Sequence, residues 1–217
     1  MAQECILIGI AGASGSGKST LAEALRARLE QADQGPVRLI GEDAYYRDQS
    51  ALPMAERAVQ NYDEPAAMDH DLLLQHLRQL ASGQVVEQPV YDYYRHTRVS
   101  RTLTLEPAPI VLVEGLFLLS RRALCRVLDL ALYVDTDPDL CLLRRLRRDV
   151  RERGRTVDSV LAQYEHTVRP GMLRHVLPSR AHADAAVDGS NTEAEMIDQG
   201  WAALRRVLER VETNRGD

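Results

Sequence analysis

The segment Gly9–Thr20, GIAGASGSGKST, constrains this chain more than any other. Gly12-Ala13-Ser14-Gly15-Ser16-Gly17-Lys18-Ser19 satisfies G-x-x-x-x-G-K-[ST] at every fixed position. The apolar run Cys5–Ile10 leads into it and reads as a buried strand. Ser19–Arg26 leads out as a helix, with Leu21, Leu25 and Leu29 on one face. In that context glycines let successive backbone N–H groups turn inward around an anion. The helix N-terminus adds unpaired donors and partial positive charge. Lys18 is long enough to reach outer phosphates, and the Ser19 hydroxyl suits Mg²⁺. The expected nucleotide-binding set is Gly12, Ala13, Ser14, Gly15, Ser16, Gly17, Lys18, Ser19 and Thr20. The plain alternative is a glycine turn before a helix, which needs neither the lysine nor the hydroxyl.

The 217 residues suit one α/β domain with a sizeable core. A formal net charge of -5 argues for a soluble protein and against a general nucleic-acid or membrane surface. Cys5, Cys125 and Cys141 lie far apart in apolar segments, without C-x-x-C spacing. They read as buried thiols in a reducing cytosol, not as a zinc site or a disulfide framework. No signal peptide is expected, because the first apolar run lacks a basic flank. Ile110–Leu119, interrupted by Glu114, is too short to span a bilayer.

The first helix is predicted to end near Ala32, and Val37–Ile40 to form a strand. Ligands in open α/β sheets lie beyond the carboxyl ends of strands, which puts Asp43 near the phosphate loop. It reads equally as a catalytic carboxylate or as a helix cap. Asp69 can cap a helix striped by Leu72, Leu73, Leu77 and Leu80, whereas Asp63 has no such role. Tyr91, Tyr93, Tyr94 and His96 cluster in a chain with only 5% aromatic residues. They form either a packed hairpin tip or a wall for a flat ligand. Val99, Leu103 and Leu105 alternate as in a half-buried strand. Ile110–Gly115 reads as a second buried strand ending in Glu114, an acid placed to hold Mg²⁺.

After a strand at Leu130–Val134, Asp137-Pro138 opens a helix with an expected apolar stripe at Leu142, Leu143, Leu146 and Val150. The same helix carries Arg144, Arg145, Arg147, Arg148, Arg151 and Arg153, with Arg155 beyond Gly154. Three readings of this run stand: a solvated face, a nucleic-acid patch, or a lid that brings arginines over polyphosphate. Arg144, Arg147 and Arg151 suit a plain surface role. A further helix through Tyr164 and Val168 is expected to break at Arg169-Pro170. A weak strand at Ala185–Val187, a closing helix over Thr192–Val211 and a frayed tail over Asn214–Asp217 complete the reading.

The ordered motifs GASGSGKS, EDAYY, NYDEPAAMD, PVYDYYRHTR, VEGLF, RRLRRDVRERGR, AQYEHTVRP and LPSRAHAD resemble the uridine kinase (uridine–cytidine kinase) family. The resemblance implies a P-loop NTPase-type α/β fold: a parallel sheet flanked by helices, a β-hairpin over the nucleoside site and an arginine-rich lid. It implies one domain over 1–217, with the hairpin at about 85–106 and the lid at about 144–168. By the same resemblance Asp43 is the general base. Tyr46, Tyr62, Asp63, Tyr91, His96, Arg145, Arg155 and Gln163 contact the nucleoside. Lys18, Arg148 and Arg153 act on the phosphates, and Ser19 and Glu114 serve Mg²⁺. It further implies ATP or GTP as donor, uridine or cytidine as acceptor, a cytoplasmic homotetramer and inhibition by CTP or UTP. Glu64 and Arg180 depart from the family's usual His and Lys. The rival readings are a phosphoribulokinase-like sugar-phosphate kinase, a GTP-dependent switch, for which no Asn-Lys-x-Asp motif is found, and a nucleic-acid-binding ATPase.

Overall fold

A computed structural model of the chain describes residues 5–216. In chain order the elements are β1 (Ile6–Gly12), α1 (Lys18–Gln31), β2 (Val37–Gly41), α2 (Met54–Ala58), α3 (His70–Ala81), β3 (Val86–Asp92), β4 (Thr97–Leu105), β5 (Ile110–Gly115) and α4 (Arg122–Cys125). Then come β6 (Leu130–Asp135), α5 (Pro138–Glu152), α6 (Val157–Gln163), α7 (Arg169–Gly171), α8 (Leu177–Ser179), β7 (Ala185–Asp188) and α9 (Glu193–Gly216). The main sheet has the order β2-β5-β1-β6-β7. Every pairing in it is parallel.

A parallel sheet covered on both faces needs strands that are apolar at nearly every position, as β1 is. Alternation along β1 splits the core in two. Ile6, Ile8 and Ile10 pack with Leu21, Leu25 and Leu29 of α1 and Leu204 and Leu208 of α9. Leu7 and Ala11 pack with Leu73, Leu77 and Leu80 of α3 and with Phe117, Met172 and Val176. Each fully buried leucine contributes about 1.5–3 kcal/mol. Because all five strands are parallel, their carboxyl ends share one edge. The register sets Glu114 beside both Gly41 and Ile10. The phosphate loop and the residues after β2 therefore begin one or two positions from that acid.

Four expectations need correction. On α5 the inward face is Cys141, Arg145 and Asp149, not the leucine stripe; Leu143 is 46% exposed and Val150 37%. This helix covers the carboxyl edge of the sheet, so its inward face meets polar groups. The predicted break at Arg169-Pro170 does not occur. The chain stays helical from Val157 to His182, with π-helical turns at Tyr164–Val168 and Met172–Val176. Each wide turn comes two residues before Pro170 or Pro178 and gives the proline ring room, since proline removes one N–H and crowds the carbonyl four residues back. Leu103 is 51% exposed, because β4 pairs only with β3 in a hairpin outside the main sheet. Lastly, α9 continues to Gly216, past the expected fraying point at Asn214, and no proline intervenes to stop it; Asp217 lies outside the described residues.

Candidate active site

Three elements meet at the carboxyl edge. α1 starts at Lys18, so the loop's N–H groups and the helix N-terminus face the same space. Gly15 lies in the left-handed region (φ 86°), and a Cβ there would sit 2.3 Å from the Cys141 carbonyl oxygen. The loop thus packs directly on the start of α5. Two side chains hold the loop from behind: Thr136 Oγ1 donates to the Ser16 carbonyl at 2.9 Å, and Arg144 Nη1 donates to the same carbonyl at 3.4 Å and to the Gly189 carbonyl at 2.8 Å. Arg144, expected to be a surface residue, is therefore a brace for the loop.

Glu114 closes the floor. Its Oε1 accepts from Ser19 Oγ at 3.1 Å, and its Oε2 lies 4.0 Å from Lys18 Nζ. Oε2 is buried and has no hydrogen-bond partner. Burial raises the Glu114 carboxyl above the ordinary range, and Lys18 opposes the shift. No group of three or more His, Cys, Asp or Glu among the described residues could hold a metal ion. One carboxylate and one hydroxyl beside a phosphate loop nevertheless fit Mg²⁺, which keeps several waters and takes further ligands from substrate phosphates.

Asp43 sits in a one-turn 3₁₀ segment, Glu42–Tyr45, after β2. Its neighbour Glu42 is fully buried and anchors the turn: Oε1 lies 2.7 Å from His70 Nε2, and Oε2 accepts from the Phe117 N–H at 2.8 Å. Asp43 itself is exposed to the cleft and accepts from Tyr93 at 3.3 Å. Burial and the adjacent Asp43 charge push the Tyr93 hydroxyl well up, which keeps it a donor. Glu42 is not among the expected site residues, and Tyr93 is expected only as one ring of the aromatic cluster.

The hairpin brings the aromatic residues to this cleft. Tyr46 packs against Tyr91 with centroids 4.9 Å apart and against Tyr62 edge-on at 5.6 Å. His96 stacks on Tyr62 at 5.4 Å, 19° from parallel. The tip is shaped by Asp92 Oδ1, which accepts from the Tyr94 and Arg95 N–H groups, and by His96 in the left-handed region at φ 50°. Across the cleft, Asp63 Oδ2 accepts from Gln163 Nε2 at 3.2 Å and Thr167 Oγ1 at 2.6 Å. A Cβ at Gly171 would lie 2.1 Å from the Asp63 carbonyl oxygen, so glycine is what lets the helical segment approach.

The arginine run folds onto one acid. Asp149 is fully buried, and Arg145, Arg148, Arg153 and Arg155 all reach it. The turn at Gly154 brings Arg155 back, its N–H donating to the Asp149 carbonyl at 3.1 Å. Arg145 also donates to Ser14 Oγ at 2.9 Å and to Gln163 Oε1 at 2.9 Å. Burial pulls the Arg145 guanidinium below its ordinary value, with Asp149 and Asp63 opposing. Arg153 lies over the Tyr93 ring, 5.9 Å from its centroid. Arg147 and Arg151 are exposed, and so is Thr20 at the start of α1.

The model of the phosphoribulokinase/uridine kinase family matches residues 7–194. The chain belongs to that family. A uridine kinase from Erwinia tasmaniensis is 48% identical over 95% of this chain and 97% of its own length. One from Escherichia coli K12 shows the same identity and coverage. Among solved structures, phosphoribulokinase from Rhodobacter spheroides superposes with a TM-score of 0.59 at 17% identity, covering 88% of this chain and 74% of that one. At that identity the likeness concerns the fold alone. It agrees with the P-loop α/β architecture of this family member. Among the described residues no helix is long and apolar enough to cross a membrane.

Proposed function

We propose that this chain is a uridine/cytidine kinase, transferring the γ-phosphoryl of ATP or GTP to the 5′-hydroxyl of the nucleoside. The observation that carries the reading is the wall of Tyr46, Tyr62, Tyr91 and His96 next to Asp43 and opposite Asp63. A flat pyrimidine needs such a wall; a phosphorylated sugar needs a second anion site instead. The 48% identity to uridine kinases over nearly the whole chain supports the same choice over a phosphoribulokinase-like activity.

In this reading the phosphate loop and Lys18 hold the donor. Ser19 and Glu114 would hold Mg²⁺, which would supply charge neutralisation for the phosphates. Asp63, held by Gln163 and Thr167, takes the ribose hydroxyls, and Arg145 and Arg155 line the same side. Asp43 accepts the proton of the 5′-hydroxyl as its oxygen bonds to the γ-phosphorus. The bond to the bridging oxygen breaks and a nucleoside diphosphate leaves. Arg148 and Arg153 meet the charge on the transferring group. Most of the acceleration comes from positioning and electrostatics. A cytoplasmic homotetramer inhibited by CTP or UTP goes with this reading.

Steady-state assays of uridine, cytidine and ribulose 5-phosphate, each with ATP and GTP, test the proposal. Turnover of the nucleosides and none of the sugar phosphate is expected. The reverse pattern overturns it.

A further inference from the structure

The arginine cluster has an internal division. Oδ1 of Asp149 takes Arg148, through Nε and Nη2 at 2.9 Å each, and Arg153 at 3.5 Å. Oδ2 takes Arg145 at 3.6 Å and Arg155 at 3.5 Å. The Oδ2 pair leads toward Asp63: both guanidinium groups donate to Gln163 Oε1, and Gln163 Nε2 donates to Asp63, while Arg145 also reaches Ser14 Oγ of the phosphate loop. The Oδ1 pair leads toward the proposed base: Arg153 lies over Tyr93, and Tyr93 donates to Asp43.

We propose that Asp149 is a positioning residue that couples the two substrate sites, one oxygen orienting the nucleoside-side arginines and the other the phosphate-side arginines. The inference rests on the kinase reading above and names a residue that reading leaves without a role. A carboxylate needed only for charge balance would pair with one guanidinium in a fork. Here four cations share one anion, so positive charge remains in excess and a polyphosphate completes it. Three of the four contacts are long, between 3.5 and 3.6 Å. Those arginines can exchange the carboxylate for substrate without leaving a bare buried charge, because Arg148 stays on Asp149. When nucleoside draws Gln163, Arg145 and Arg155 toward the ribose, the load on Oδ2 changes, and the Oδ1 pair is reoriented through the same rigid group. By reciprocity, donor binding must strengthen nucleoside binding by the same factor.

The test is uridine affinity of the full chain, measured by calorimetry alone and then saturated with Mg²⁺ and a non-hydrolysable ATP or GTP analogue. In the wild type the analogue is expected to tighten uridine by about fivefold or more. Asp149→Asn removes the charge and keeps the shape; the ratio should fall to near one while each ligand alone still binds. Asp149→Glu retains the charge and should recover part of the ratio. A merely structural Asp149 gives the opposite signature: lower melting temperature, with the wild-type ratio intact in the folded fraction. That result overturns the inference, as does a wild-type ratio near one, which needs no variant. Uridine turnover with a ratio near one overturns the coupling alone. No uridine turnover with either donor overturns the kinase reading and the coupling with it.

Discussion

α1 and α5 look alike in sequence and do opposite things in the fold. Each follows a strand of the main sheet and carries leucines at helical spacing. The leucines of α1 are buried, whereas Leu143 and Val150 of α5 are exposed while Arg145 and Asp149 are inside. α1 lies against a sheet face, where burying apolar area is the available gain. α5 lies at the carboxyl edge of the sheet, where its neighbours are Ser14, Gln163 and other arginines. A helix therefore turns its apolar stripe inward only where the surface beneath it is apolar. Two kinds of region result. One is held by packing and presents the phosphate loop; the other is held by charge and hydrogen bonds and faces the proposed acceptor site.

The strongest way to break this division is at its border. Asp43→Asn is expected to lower kcat by roughly 10²–10⁴-fold with melting temperature and nucleotide binding nearly unchanged. Asp43 is exposed, and the turn beneath it hangs on Glu42. Near wild-type turnover would remove it from the mechanism.

Leu25→Ala attacks the packed region. A loss of about 2–5 kcal/mol in urea unfolding is expected, since the site is fully enclosed. His96→Phe attacks the other region. The flat ring remains on Tyr62 but both nitrogens are lost. A base group left unpaired costs about 1–3 kcal/mol, so kcat/KM for uridine and cytidine should fall roughly five- to 150-fold. Donor KM should stay put. A lower melting point with unchanged nucleoside kinetics would make His96 purely structural.

Leu143→Ala carries the smallest expected effect. As an exposed residue it should shift stability by no more than about 0.5 kcal/mol in the monomer. A loss rivalling that of Leu25→Ala, accompanied by a change in sedimentation, would mean that a second subunit covers this face.

Much of this molecule is legible in its residues. β1, the phosphate loop and α1 are contiguous, and local rules of apolar spacing and glycine placement specify them without help from distant segments. Asp43, Glu114 and the aromatic tip could also be singled out, because an acid at a strand end and a burst of tyrosine in an aromatic-poor chain stand out locally. Glu42, Thr167 and Asp149 could not be found this way. An acid inside RRLRRDVRERGR looks like any solvated charge until its four arginines are seen to converge on it. Tyr93 was visible as part of the cluster, but not as the donor to Asp43.

The sequence alone determined the phosphate-loop motif, the apolar runs that become strands and the family, because each rests on local patterns or on a fixed order of motifs. Tertiary structure alone decided which face of α5 is inside, that Pro170 and Pro178 are absorbed in wide helical turns, and that four arginines converge on one buried carboxylate. Those outcomes depend on what each segment is packed against. The contact between Asp63 and Gln163 spans a hundred positions of chain, and no local pattern encodes a partner at that distance.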